Sequence, residues 1–449
     1  MIQYSALTPQ EGLKEKESMN MSDNAKKLHA ETLAVHAGWD GDPATDSCGV
    51  PVYRTTAYKF KNAQDGADRF ALKKAANIYA RLMNPTEDVL EKRLAALEGG
   101  AAAITVSSGT AAIYFTVLNI AAAGDEFVSA SNLYGGTYTQ FDVILPQSSN
   151  IHARYVKVND FAATEAAIND KTRFIYIETI GNPVLDVADI EKYAEIAHRH
   201  NLPLVVDATF STPILEQPIK FGADIVIHSL SKWIGGHGAG IGGAVIDAGT
   251  FDWSHKKFSL YNEPDLGYHG AVWSQLAGKL AFITRFRTVP LRNLGPTLSP
   301  DANWIFLQGV ESLPLRAIRH SENALAVAKY LKNHPKVAWV RYPGLEGDSS
   351  YELAKKYLPN GAGGMVVFGV KGGVKEGITV VDGLKLFTQL ANVGDARSLS
   401  VHPASSTHSQ LTEEQQRAAG LTPELIRLSI GLEHIDDIIE DLEQALARI

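Results

Sequence analysis

Between residues 85 and 247 the chain alternates between two hydrophobic rhythms. Segments at 88–97, 111–122, 161–168 and 190–200 read as helices, and short β-rich runs at 102–106, 126–130, 151–156, 173–178, 204–207, 225–228 and 243–247 lie among them. The runs are apolar nearly throughout instead of alternating with period two, the mark of a strand covered by helices on both faces. Strand and helix in repetition predict an α/β fold built on a mostly parallel sheet. Ligands of such sheets bind beyond the carboxyl ends of the strands, so functional residues should follow the strands directly. A long helical stretch at 302–333, with Pro314 as an expected kink, leads into an α+β tail containing 364–370 and 438–446. Residues 1–28 lack periodicity and read as a mobile tail, with regular structure expected from about Glu31. The large domain is expected over 85–295 and a smaller α+β domain over 296–449.

Composition narrows the function classes. The length of 449 residues suits two or three domains with a large core. Forty-two basic against fifty acidic residues give a net charge of −8, which argues against a nucleic-acid binder held by phosphate contacts. The lone Cys48 cannot form an internal disulfide. The most apolar stretch, 111–123, holds Thr116 and Asn119 and falls short of the ~20 residues of a spanning helix. No export signal is apparent, so a cytoplasmic setting without a membrane partner is expected.

Three strand ends carry candidate chemistry. Ile225 to Ser229 runs into Leu230-Ser231-Lys232: two hydroxyls able to donate to phosphate, and an amine able to form a Schiff base with an aldehyde. A surface lysine at a strand end is the plain alternative. Asp207 closes an apolar run; a protonated ring nitrogen could keep it ionised, and a helix N-cap is the plain reading. Ser107-Ser108-Gly109-Thr110 stands between a strand and an apolar helix, where free N–H groups form either an anion site or an ordinary cap. Together, each at the end of a predicted strand of one sheet, the three are far less expected by chance than any one alone.

The chain resembles the pyridoxal 5′-phosphate (PLP) enzymes of cysteine and methionine metabolism, the cystathionine γ-synthase-like family. The resemblance rests on Tyr79-Ala80-Arg81, Asn84-Pro85-Thr86, Ser108-Gly109, Tyr134-Gly135-Gly136, Gly181-Asn182-Pro183, Asp207, Ser229 to Lys232, His402-Pro403-Ala404 and Arg427-Leu428-Ser429. They stand in family order across about 31–449. The resemblance implies the aspartate aminotransferase-like type I fold. It implies Lys232 as covalent anchor of PLP and proton carrier, Asp207 as partner of the ring nitrogen, and Tyr134 stacked on the ring. Gly109, Thr110, Ser229 and Ser231 would hold the phosphate. Arg427, assisted by Asn182 and Ser398, would bind the substrate α-carboxylate. Tyr79, also expected near substrate, and Arg81 would reach a neighbouring subunit's site, making 29–84 an arm and the protein a homo-oligomer, a dimer of dimers. Ser231 departs from the threonine frequent at that position, keeping the hydroxyl.

Within the family the chain resembles the O-acetylhomoserine sulfhydrylase branch, in Ile78 to Thr86, Lys232 to Gly238 and Asn392 to Ala396. That implies γ-replacement: O-acetylhomoserine plus sulfide, or methanethiol, gives homocysteine, or methionine, plus acetate. The alternatives are cystathionine γ-synthase or methionine γ-lyase activity; the cysteine common in the lyases two residues after the stacking tyrosine is here Gly136. A non-catalytic scaffold is the alternative from another class, opposed by the presence of Lys232, Asp207 and Arg427. Gly238-Ala239-Gly240-Ile241-Gly242-Gly243 matches G-x-G-x-x-G, but a strand follows it where a dinucleotide fingerprint needs a helix, so close backbone packing beside Lys232 is expected. His402 and His408 lack a third ligand at supporting spacing, and no metal is expected.

Overall fold

The computed structural model describes residues 28–74, 76–406 and 420–449; almost all of the expected tail, and His408, lie outside the described residues. The first sheet has seven strands: β1 (Ala102–Val106), β2 (Glu126–Ala130), β3 (His152–Val156), β4 (Thr172–Glu178), β5 (Leu204–Asp207), β6 (Ile225–Ser229) and β7 (Gly243–Asp247). Their order is β1-β7-β6-β5-β4-β2-β3. All pairings are parallel except those of β7, which is antiparallel to both β1 and β6. The helix Gly109–Ile120 lies with the apolar residues of one face, and Pro85–Glu98 and Ile190–Arg199 with those of the other. Strands covered on both faces are buried at all but one position, as in β4 and β6, which explains their nearly unbroken apolar character.

Local chemistry sets the helix ends. Pro85 occupies the first turn of Pro85–Glu98, the Asn84 side chain accepts from Thr86 N–H, and Gly99 takes the left-handed conformation (φ 74°) that closes it. Ser108 caps Gly109–Ile120 by accepting from Ala111 N–H at 3.0 Å.

A second sheet comprises β8 (Val337–Arg341), β9 (Met365–Val370), β10 (Thr388–Gln389), β11 (Leu399–Val401) and β12 (Leu425–Ser429), in the order β10-β11-β12-β9-β8. It is antiparallel except where β10 meets β11. The boundary expected near 296 falls just before a single helix, Pro300–Lys332, that runs on through Pro314. Instead of breaking there, the helix has its Gly309 carbonyl bound by Arg316 Nη2 (2.6 Å) and Ser312 Oγ (3.3 Å) in the turn before the proline. Residues of both sheets and of this helix share one apolar cluster, so no gap in the core separates the two parts. The first helix, Ala30–His36, adds Leu33 and Ala34 to the same cluster. Among the described residues no helix is long and apolar enough to cross a membrane.

Candidate active site

Because β2, β4, β5 and β6 run parallel, and the two antiparallel pairings of β7 turn β1 the same way, the turns after all five strands gather at one end of the sheet. Contacts join them. Gly109 opens its helix directly against Ser229: a Cβ there would lie 2.6 Å from Ser229 Cβ. Ser229 N–H donates to Thr209 Oγ1 at 2.8 Å, and Thr209 N–H donates to Asp207 Oδ1 at 3.0 Å. Asp207 is in register with Glu178 on the neighbouring strand, and Glu178 Oε1 accepts from Tyr134 N–H at 2.7 Å.

Asp207 lies in dry surroundings. Burial raises its carboxyl above the ordinary range, against the pull of bonds from Thr209 and Tyr176 and the charge of His228. Tyr176 reaches it weakly, at 3.4 Å, and among the described residues no lysine or arginine pairs with it. A carboxylate so placed lacks a cationic partner, which a protonated ring nitrogen would provide.

Lys232 follows β6 through a tight turn and donates to Asn392 Oδ1 at 2.6 Å. Burial, then the positive charge of Arg427, lowers its amine below the usual lysine range, favouring the neutral nucleophile. The turn is fixed by close packing. Gly394 presses on the Lys232–Trp233 peptide, where a Cβ would fall 2.5 Å from Trp233 N, and Gly242 and Gly235 leave no Cβ space against Phe306 and the Leu230 carbonyl. Gly238 to Gly243 is thus a packing loop ending in β7, as its sequence context implied.

Arg427, on β12, is half-buried; loss of hydration pushes its guanidinium down to about 10, and its Nη1 donates to Asn182 Oδ1 at 3.1 Å. It carries the second sheet's positive charge to the end of β4, where a substrate carboxylate can meet a planar fork of donors.

The remaining expected residues divide. Thr110 Oγ1 lies 3.0 Å from Ser108 Oγ at the helix start. Ser231 Oγ accepts from Gly242 N–H at 3.0 Å, which anchors the loop. Tyr134 is half exposed. Tyr79 and Arg81 pair with each other, guanidinium over ring at 5.4 Å, and are exposed, making no contact with Lys232 or Asp207. Ser398 does not stand free beside Arg427: its fully buried hydroxyl donates to Glu433 Oε2 (2.9 Å) and accepts from Gly431 N–H (2.9 Å). The Glu433 carboxylate, which also binds Ser398 N–H, holds it there. Asn392, which the sequence offered only as the start of a branch-like segment and with no role in the site, takes the place beside Lys232; it lies in a loop, where periodicity carries no signal. His402 is engaged through both ring nitrogens, with Ser405 Oγ (2.8 Å) and the Pro423 carbonyl (2.8 Å). Gly136 has no room for a side chain while Tyr134 stands as it does, since a Cβ would lie 2.5 Å from the ring.

The residues fit PLP: an amine of lowered basicity, a carboxylate with no lysine or arginine partner among the described residues, and a glycine at a helix start beside serine and threonine hydroxyls.

Comparison with known proteins agrees. The family model described as Cys/Met metabolism PLP-dependent enzyme matches residues 31–447. The chain is 51% identical to the O-acetyl-L-homoserine sulfhydrylase of Leptospira meyeri, over 94% of this chain and 98% of that one. It is equally 51% identical to the homocysteine synthase of Schizosaccharomyces pombe, over 93% and 98%. A crystal structure assigned as an O-acetylhomoserine (thiol)-lyase from Campylobacter jejuni, containing N′-pyridoxyl-lysine-5′-monophosphate, superposes with a TM-score of 0.90 at 41% identity, covering 94% of this chain and all of that one.

The Lys232–Arg427 coupling has a direct consequence. In cofactor-free protein, trapping of Lys232 by a small aldehyde and borohydride, followed by peptide mass spectrometry, should show a pH midpoint below that of exposed lysines. Arg427→Met removes a like charge and should move that midpoint upward; an unmoved midpoint would contradict the coupling.

Proposed function

The chain belongs to the Cys/Met metabolism PLP-dependent enzymes, and on that premise we propose that it performs γ-replacement on O-acetyl-L-homoserine, with sulfide giving L-homocysteine and acetate. The placing of Lys232, Asp207 and Arg427 beside the ends of neighbouring strands carries the reading. The names of the relatives at 51% identity support the substrate and the nucleophile. Gly136, where the lyases commonly carry a cysteine, favours replacement over γ-elimination. Methanethiol in place of sulfide would give methionine.

When bound, PLP supplies an electron-poor ring that accepts the electrons released as the substrate Cα–H bond breaks. The chain does the rest. Lys232 Nζ would hold the cofactor's aldehyde carbon and carry protons at the substrate, taking one from Cα and one from Cβ as acetate leaves Cγ, and returning them to Cβ and Cα once the thiol sulfur has bonded to Cγ. Its lowered basicity favours the neutral amine, the form able to accept that proton. Asp207 would face the ring nitrogen and keep it protonated. Tyr134 would cover one face of the ring and exclude water there. Gly109, Thr110, Ser229 and Ser231 would form the phosphate cradle, with helix N–H groups directed at the anion. Arg427, oriented by Asn182, would fix the α-carboxylate, and Asn392 would hold Lys232 Nζ in reach.

Tyr79 and Arg81 are exposed and spend no contact on their own chain's Lys232 or Asp207. Their proposed place is the phosphate and substrate end of a neighbouring subunit's site, within a homodimer or a dimer of dimers. A cytoplasmic setting belongs to the same proposal, as fits a biosynthetic reaction on small soluble substrates.

Purified protein given O-acetylhomoserine and sulfide should form homocysteine, with little 2-oxobutyrate when sulfide is withheld. Equal 2-oxobutyrate with and without sulfide would make it a lyase. Arg81→Ala should weaken PLP retention, seen as lost visible absorbance, with far-ultraviolet circular dichroism unchanged; full retention would remove the shared-site proposal.

A further inference from the structure

Glu178 is a carboxyl that the reaction as written does not use. It ends β4 as Asp207 ends β5, and the two are register partners on adjacent parallel strands. It is buried, and Oε1 accepts from Tyr134 N–H at 2.7 Å. Tyr134 itself is half exposed and sits at the start of a short helix without a side-chain cap, so this bond is what ties its backbone to the sheet. The ring on the other side packs onto Gly136, too close for any side chain there. The Tyr134 ring is thus located from two directions, by an acceptor on the strand and by the bare backbone of its own turn.

We propose that Glu178 is a positioning residue: by holding the Tyr134 backbone it fixes where the Tyr134 ring stands over the cofactor, and it acts as a hydrogen-bond acceptor and not as a charge. This rests on Tyr134 covering the PLP ring as proposed above. Two carboxylates side by side at the ends of adjacent strands would repel each other, and only one is needed opposite a singly charged ring nitrogen. The groups facing Glu178 are Asp207, Tyr176 and Tyr134. Burial, and then the charge of Asp207, raise the Glu178 carboxyl well above the ordinary glutamate range, which favours its protonated form. A protonated carboxyl keeps a carbonyl oxygen, and that oxygen is all the Tyr134 N–H requires.

The amide of glutamine offers the same oxygen, whereas leucine fills the volume without it. In the PLP-loaded enzyme Glu178→Gln should keep the visible circular dichroism of bound PLP and a kcat within about threefold of wild type. Glu178→Leu should weaken that dichroism and lower kcat at least tenfold, with an unchanged melting temperature; Glu178→Met serves if the leucine variant does not fold. Equal behaviour of the glutamine and leucine variants would overturn the positioning role. A glutamine variant as impaired as Asp207→Asn would show that Glu178 works as a charge and would also overturn it. If the wild type lacked sulfide-dependent turnover, the proposed reaction would fall, while the dichroism of PLP-loaded variants would still decide this proposal.

Discussion

A carboxylate at the dry end of a central strand is the constraint on which the site depends. Asp207 is half-buried at the end of β5, bonded by Thr209 and weakly by Tyr176, and among the described residues no lysine or arginine pairs with it. Taking such a charge out of water costs several kcal/mol unless a partner compensates it. The fold supplies the place for that partner, since the same strand ends bring up the lysine amine, the tyrosine ring and the helix start. The pieces therefore read as parts of one site, because each supplies what another lacks.

Holding Lys232 in that place is a packing problem. The lysine sits in a turn with no room for extra atoms: Gly394 lies on its peptide, Gly242 and Gly235 lie against Phe306 and the Leu230 carbonyl, and Arg316 binds the Trp233 and Ile234 carbonyls at 2.7 and 2.9 Å. Gly394 in turn is fixed by its N–H, which donates to Ser429 Oγ at 2.9 Å. The second sheet thus presses Lys232 into position, and the charge of Arg427 from the same sheet lowers the basicity of its amine. One continuous core through the helix Pro300–Lys332 makes this rigid.

Much of this was legible in the sequence. The strands of the first sheet stand within a residue or so of where unbroken apolar runs place them, because strands buried on both faces leave a composition signal that needs no partner to be seen. The reversal of β7 was not legible, since an apolar run has no direction. The second sheet was seen only in part: β11 and β12 owe their pairing to contacts distant in sequence, and local pattern does not encode them. Ser398 and Asn392 show the same limit within the site. Both lie in irregular chain, and only the fold decides that the serine is locked to Glu433 while the asparagine meets Lys232. Glu178 carried the same signal as Asp207, an acid closing an apolar run, but its meaning appears only when β4 and β5 pair and Tyr134 N–H closes on it.

The central claim is that Lys232 is where PLP is bound, at the meeting point of these strand ends. Borohydride reduction of the yellow holoenzyme, followed by proteolysis and mass spectrometry, tests it most directly. A phosphopyridoxyl group on the peptide containing Lys232, and on no other, is the predicted result; the same group on a different lysine would contradict the account.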